Sequence, residues 1–338
     1  MTEEPRPAIK SIGVLGAGAW GTALAIAAWR SGGTVTLWAR RTELADQIAQ
    51  ARENEPYLPG VTLDPAIRVT AELSDVAEAE ALLLVVPAQH LRALAERLQP
   101  LLPPDRPLVI CAKGIEQESG ALMSEVLDEV MPDNPQAILT GPSFAKEVAC
   151  ELPTAVTLAA RDAALGKALV TSLGSPRFRT YLSDDPVGAE IGGAVKNVIA
   201  IACGIVAGRK LGDNARAALI TRALAEVARL GRAKGAKAET FMGLSGLGDL
   251  LLTCSSTQSR NYSLGLALGQ GKSLDTLMHD RRSIVEGVFT TRAVMKIASQ
   301  LGIEVPICAS VDAVVNQGAE IGKTIEQLLA RPFKSETI

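Results

Sequence analysis

The feature that most constrains this chain is Gly16-x-Gly18-x-x-Gly21, set between the apolar run 9–15 and an alanine-rich helical stretch, 22–30. A strand, a glycine-rich turn and a helix in that order form a frame that binds dinucleotides. Gly16 allows the tight turn, Gly18 lets the backbone approach a pyrophosphate, and Gly21 permits close helix–strand packing. The helix N-terminus then offers unpaired N–H groups and partial positive charge to the phosphates. Outside such a frame the same spacing would be a plain glycine-rich turn.

The rest of the first half repeats the frame. Apolar runs at 34–39, 81–86, 107–112 and 136–140, each bounded by Gly or Pro, alternate with helical patterns. Continuous apolar runs of this kind predict a parallel sheet covered on both faces. Further strands are expected at 154–159 and 177–182. After Asp184-Asp185-Pro186 the strand signals end, and helices are expected at 187–207, 214–234, 290–300 and 309–317, with Asp213 or Asn214 as N-cap of the second. The expectation is therefore α/β: a Rossmann-like, doubly wound dinucleotide-binding domain over 1–184, then an all-helical substrate-binding and catalytic domain over 185–338.

Length and composition narrow the partners. A chain of 338 residues buries roughly three-quarters of its unfolded surface and needs no staple. Its 34 basic and 37 acidic residues leave a net charge of −3, so the basic footprint of a nucleic-acid binder is missing. Five cysteines without a Cys-x-x-Cys pair read as free thiols in a reducing compartment. The acidic, proline-containing start does not resemble a signal peptide, and the longest apolar segment, around 195–208, is too short and too charged to span a bilayer. A cytoplasmic location without membrane insertion is expected. Two lone histidines, His90 and His279, read as ordinary surface or loop residues, and no Cys/His cluster predicts a metal.

Which nicotinamide cofactor fits is decided at the end of the second strand. An acid there binds a ribose 2′-hydroxyl, and an arginine accommodates a 2′-phosphate. Arg40 and Arg41 stand there, with no acid before Glu43, which favours NADPH and leaves NADH possible. Two solvated arginines are the alternative. Ligands of such sheets lie beyond the strand ends. Lys113 follows one end, and Gly141 and Ser143 follow another.

Lys196 lies in an otherwise apolar helix with Gly192 and Gly193 one turn back, a face read as bare. Desolvation there lowers its pKa and suits it to proton transfer, whereas a lysine snorkelling to water is the bland reading. Asp249 closes a Gly-rich turn and could hold the ammonium. Ser259, Arg260 and Asn261 gather a hydroxyl, a guanidinium and an amide fit for phosphate. Glu286 is a lone acid in an apolar run.

Together these segments resemble the bacterial NAD(P)-dependent glycerol-3-phosphate dehydrogenases. The resemblance rests on Gly16-Ala-Gly-Ala-Trp-Gly-Thr-Ala-Leu, Tyr57-Leu-Pro-Gly, Ala112-Lys-Gly-Ile-Glu, Gly141-Pro-Ser-Phe-Ala-Lys-Glu, Gly193-Ala-Val-Lys-Asn, Gly246-Leu-Gly-Asp-Leu, Gln258-Ser-Arg-Asn and Val285-Glu-Gly, which keep the family's order over nearly the whole chain. It implies reversible reduction of dihydroxyacetone phosphate to sn-glycerol 3-phosphate for phospholipid synthesis, by a homodimer. It implies Lys196 as proton donor and acceptor, and Lys113, Gly141, Ser143, Asp249, Ser259, Arg260 and Asn261 about the substrate. Ala19, Trp20, Arg40, Lys113, Ala145, Arg260, Ile284 and Glu286 are the implied cofactor contacts. A β-hydroxyacid or phosphogluconate-type dehydrogenase would share the architecture, and a non-catalytic dinucleotide sensor would share the glycine motif alone.

Overall fold

The structure is a computed structural model that describes residues 7–279 and 285–332. Ile284 lies outside the described residues, as does the side chain of His279. The chain divides into two compact units, Met1–Ala112 with Met123–Pro186, and Lys113–Leu122 with Val187–Ile338. The segment Lys113–Leu122, which a single cut at 184/185 leaves in the first domain, belongs to the second unit.

Among the described residues, unit 1 is built on ten strands: β1 (Ser11–Leu15), β2 (Thr34–Trp38), β3 (Glu53–Asn54), β4 (Leu58–Thr62), β5 (Arg68–Thr70), β6 (Ala81–Leu84), β7 (Leu108–Ile110), β8 (Gln136–Thr140), β9 (Thr154–Ala160) and β10 (Phe178–Ser183). Eight of them form one sheet in the order β10-β9-β8-β7-β6-β1-β2-β5. The strand order reverses beside β1, the position beyond whose carboxyl end sheets of this kind bind their ligands. Leu82, Leu83 and Leu84 of β6 and Leu108, Val109 and Ile110 of β7 are fully buried, as expected of strands covered on both faces.

Several expectations need correction. The sheet is mixed, because β9 runs antiparallel to β8. The connection between them holds only the five-residue helix Ala145–Ala149, too little to carry the chain back along the sheet for a parallel return. The β3–β4 hairpin and β5 have short, polar stretches that periodicity does not mark. Neither Asp213 nor Asn214 caps the helix Asp213–Ala233. Gly212, at φ +90°, is the N-cap, and Asp213 sits in the first turn, where its charge favours the helix dipole.

Among the described residues, unit 2 is helical, with one isolated antiparallel bridge between Ile115 and Leu122. Its axis is the helix Pro186–Gly208, whose apolar residues are almost all buried. The expectation that the apolar segment around 195–208 is too short and too charged to span a bilayer needs correction. It belongs to this 23-residue helix, which is long and apolar enough to cross a membrane by length and composition, yet most of its apolar window is buried in the core. The same helix meets the helix Arg260–Gly269 backbone to backbone. A Cβ on Gly204 would stand 2.1 Å from the Tyr262 carbonyl oxygen, and one on Gly265 would stand 2.0 Å from that of Ile201. Glycine at these positions is therefore a packing requirement, one that brings Ser259–Asn261 to the same helix that bears Lys196.

Candidate active site

In unit 1 the glycine motif folds as its spacing implies. Gly16 takes φ +122°, and a Cβ there would meet the Val85 carbonyl oxygen at 2.6 Å. A Cβ on Gly21 would lie 1.8 Å from the Gly16 oxygen, so only glycine lets the helix start this close to β1. A Cβ on Gly18 meets nothing within 4 Å; the space beside it is open. The helix begins at Ala19, three residues before the periodicity marks it, with Gly18 as an N-cap that offers no side-chain acceptor. Its first-turn N–H groups are thus left to another acceptor. The indole N–H of Trp20, in that first turn, is buried with no hydrogen-bond partner among the described residues. An open cradle, uncapped amides and an orphan donor fit a nucleotide diphosphate.

The other expected cofactor and substrate residues of unit 1 lie at strand ends. Arg40 and Arg41 follow β2 and are exposed. Gly141 follows β8 at φ +140° with its position packed against Val156, and the Ser143 hydroxyl donates to the Gly141 carbonyl at 3.0 Å. Ala145 is the half-buried first residue of its short helix.

Unit 2 holds a buried ionic centre. Asp249 is fully buried at the start of the helix Asp249–Ser255, just after a single π-helical turn, Leu244–Gly248. One of its oxygens, Oδ1, accepts from the Lys196 ammonium in a very short contact, while Oδ2 pairs with Lys113 Nζ at 2.8 Å. Two lysines share one carboxylate. The Lys196 side chain is 8% exposed, and its pKa is lowered to about 7. Burial is the main cause; Asp249 opposes it, and the like charge of Lys113 adds to it.

The helical face read as bare is filled. A Cβ on Gly192 would stand 2.4 Å from the Ser245 carbonyl oxygen, so the missing side chain admits the turn that carries Asp249 to Lys196. The reading that glycine serves close approach holds, but what approaches is backbone.

The sequence reading missed how these groups are tied together. Asn197, the residue after Lys196, donates to the Lys113 carbonyl at 3.1 Å and accepts from Asn261 Nδ2 at 2.9 Å. Asn261 Oδ1 in turn accepts from the Gly287 N–H at 3.0 Å. The Asn261 amide, expected to face a phosphate, is thus largely committed inside the fold. Ser259 is buried and caps the helix Arg260–Gly269 through Tyr262 N–H, while Arg260, its first residue, is exposed. Glu286 opens the helix Glu286–Leu301, where an acid suits the first turn. Adjacency of Asn197 to Lys196 was the one available signal. Nothing local marks the pairing of Lys113 with Asp249, 136 residues apart.

A doubly wound nucleotide fold joined to a buried lysine–carboxylate centre defines the class: a nicotinamide-dependent oxidoreductase. Comparison narrows it. The N-terminal domain of the NAD-dependent glycerol-3-phosphate dehydrogenases matches residues 11–166, and their C-terminal domain matches residues 185–326. The chain belongs to this family. It is 57% identical over 329 residues to the glycerol-3-phosphate dehydrogenase (NAD(P)+) of Rhodospirillum rubrum, covering 97% of this chain and 94% of that one. It is 54% identical over 330 residues to that of Parvibaculum lavamentivorans, covering 98% and 99%. The crystal structure of the Coxiella burnetii glycerol-3-phosphate dehydrogenase superposes with a TM-score of 0.92 at 38% identity, covering 96% of this chain and all of that one.

Proposed function

We propose that this enzyme reduces dihydroxyacetone phosphate reversibly to sn-glycerol 3-phosphate, with Lys196 as the group that gives and takes the proton. The observation that carries the reading is the buried Lys196–Asp249–Lys113 centre, with a lysine whose pKa is about 7. Such a lysine is available as acid and as base near neutral pH. Two ammonium groups around one carboxylate leave the centre with one net positive charge, which attracts an anionic substrate and stabilises a developing alkoxide. When Lys196 releases its proton to the carbonyl oxygen, Lys113 keeps Asp249 paired, so no buried carboxylate is stranded.

Gly16, Gly18, Ala19, Trp20 and Gly21 would hold the diphosphate of a reduced nicotinamide cofactor, which when bound would supply the hydride for the ketone carbon. Arg40 and Arg41 offer charge-assisted bonds to a 2′-phosphate, which favours NADPH. Lys113, Ala145, Arg260 and Glu286 complete the cofactor set in this reading. Arg260 and the Ser259 hydroxyl, at a helix N-terminus, anchor the substrate phosphate and so position the reacting carbon. Asn261 keeps one amide N–H for that task, and Gly141 and Ser143 complete the substrate set. The family membership supports a cytoplasmic homodimer that feeds phospholipid synthesis.

The direct test is loss of NADPH absorbance on adding dihydroxyacetone phosphate. Turnover that needs the substrate phosphate supports the reading. Tight NADPH binding without turnover would make the protein a sensor and overturn it.

A further inference from the structure

We infer that Asn54 is the positioning residue of the dinucleotide loop, setting the direction of the Gly18 N–H for the cofactor diphosphate. The inference rests on the proposal that the diphosphate binds at Gly16–Gly21. Asn54 belongs to neither the glycine motif nor the two elements that flank it. It sits on β3, reached after the helix Thr42–Ala51 ends at Arg52 in a left-handed conformation, φ +51°. Arg52 ties the hairpin down: its guanidinium donates to the carbonyls of Asp64 and Ile67, and its own carbonyl accepts from Leu63 N–H at 2.7 Å.

The Asn54 side chain is fully buried. Its Nδ2 donates to the Ala17 carbonyl at 2.9 Å and to the Thr22 hydroxyl at 2.7 Å. The orientation of the amide is settled by chemistry, since a carbonyl can only accept and so must face nitrogen. Both hydrogens are therefore spent on the loop and on the first turn of the helix that follows it. The first helical bond, Thr22 N–H to the Gly18 carbonyl at 3.0 Å, closes the same small unit.

The consequence follows from peptide geometry. The Ala17 carbonyl and the Gly18 N–H belong to one planar trans peptide and point in opposite directions. Holding the carbonyl inward, toward Asn54, turns the Gly18 N–H outward, on the residue whose flank is open. If the Ala17 peptide rotated, an oxygen would face the phosphates instead of a donor. Asn54 thus acts against the one local rearrangement that would reverse the loop's polarity. The amide carries a cost: its Oδ1 is buried with no hydrogen-bond partner among the described residues. A buried acceptor left unmatched in this way calls for a reason, and the two donors supply it.

The test uses the full-length protein, with affinity measured by fluorescence titration in the absence of substrate. The probes are NADPH, ADP-ribose, which carries the diphosphate, and 2′-AMP, which lacks it. Asn54→Leu keeps the size and removes both donors. It is expected to weaken NADPH and ADP-ribose at least tenfold and leave 2′-AMP within twofold. The KM for NADPH should rise by a similar factor while kcat at saturation stays within about threefold. Unchanged NADPH affinity would overturn the inference, and so would an equal loss for all three probes, the mark of general damage to unit 1. If Asn54→Leu does not fold, Thr22→Val decides: a two- to fivefold loss confined to the diphosphate ligands supports the role, and no loss overturns it. Gly18→Asp separates this inference from the reading beneath it, since a carboxylate there repels a diphosphate. NADPH binding that survives Gly18→Asp would refute the loop as the nucleotide site. Binding lost in Gly18→Asp but retained in Asn54→Leu would refute the role of Asn54 alone.

Discussion

At the scale of single residues, Lys196 carries the most consequence. Its folded pKa, about 7, lies below the ordinary 10.5. Between those values the unfolded chain holds a proton that the folded one has released, so stability rises with pH across this window. Lys196→Met should flatten that rise, as read by thermal unfolding at pH 7 and pH 9.5; an unaltered slope would assign it elsewhere. Asp249→Asn should cost about 3–5 kcal/mol, because it removes the buried carboxylate that pairs with both Lys196 and Lys113. It should also move the Lys196 pKa further down, since Asp249 is what holds it up. A denaturant titration checks the first effect and the pH profile of turnover the second. This much of the site could be read from residue types: a lysine in an apolar helix and an acid closing a glycine turn. That Lys113 shares the same carboxylate could not, because a long-range ion pair leaves no local pattern.

At the scale of elements, the site depends on backbone approach. Gly192→Ala would set a methyl group against the Ser245 carbonyl, and overpacking of this kind costs about 1–3 kcal/mol. The turn that carries Asp249 should retreat, so kcat should fall while NADPH affinity, which in the proposed reading rests mainly on the glycine loop, Arg40 and Arg41, stays within twofold. Loss of both together would contradict this account of Gly192. A second element-level device is Glu226, buried in the helix Asp213–Ala233, whose carboxylate accepts from the Ile307 and Cys308 N–H groups. It caps the helix Pro306–Gln317 from outside. Burial pushes its pKa up to about 7, against those two bonds and the nearby Arg229 and Arg331. A raised carboxylate stabilises the fold below its unfolded pKa of 4.5 and loses that contribution as pH rises through 7. Glu226→Gln keeps the accepting oxygen without the charge, so the fall in Tm between pH 5 and pH 8 should shrink. An equal fall in both proteins would show that Glu226 does not titrate there. The strands and long helices were legible because their apolar periods are long. The antiparallel β9, the β3–β4 hairpin and the Gly212 cap were not, because short polar elements and connection geometry lie outside periodicity.

At the scale of the whole molecule, the chain has a nucleotide fold and a helical unit that holds the buried Lys196–Asp249–Lys113 cluster. The strand signals end close to Val187, where the larger part of the second unit begins, but nothing in them marks Lys113–Leu122, which that unit takes from the middle of the first. In the proposed reading, cofactor choice rests on Arg40 and Arg41 of unit 1. Replacing Arg40 and Arg41 together should raise the KM for NADPH, at about 1.5–3 kcal/mol per lost charge-assisted bond, and leave NADH use nearly unchanged. Equal kcat/KM for the two cofactors in the unaltered enzyme would contradict the role of these arginines.

The central claim is that Lys196 moves the proton in ketone reduction, and one measurement tests it most directly. The kcat for dihydroxyacetone phosphate reduction at saturating NADPH is followed from pH 5.5 to 9.5 in the unaltered enzyme and in Lys196→Ala. The unaltered enzyme should lose rate as pH rises through about 7, where Lys196 gives up its proton. Lys196→Ala should be slower by roughly 10²–10⁴, the usual worth of a positioned general acid, and should lack that limb. A Lys196→Ala enzyme that kept the same limb, or more than about a tenth of the rate, would contradict the claim.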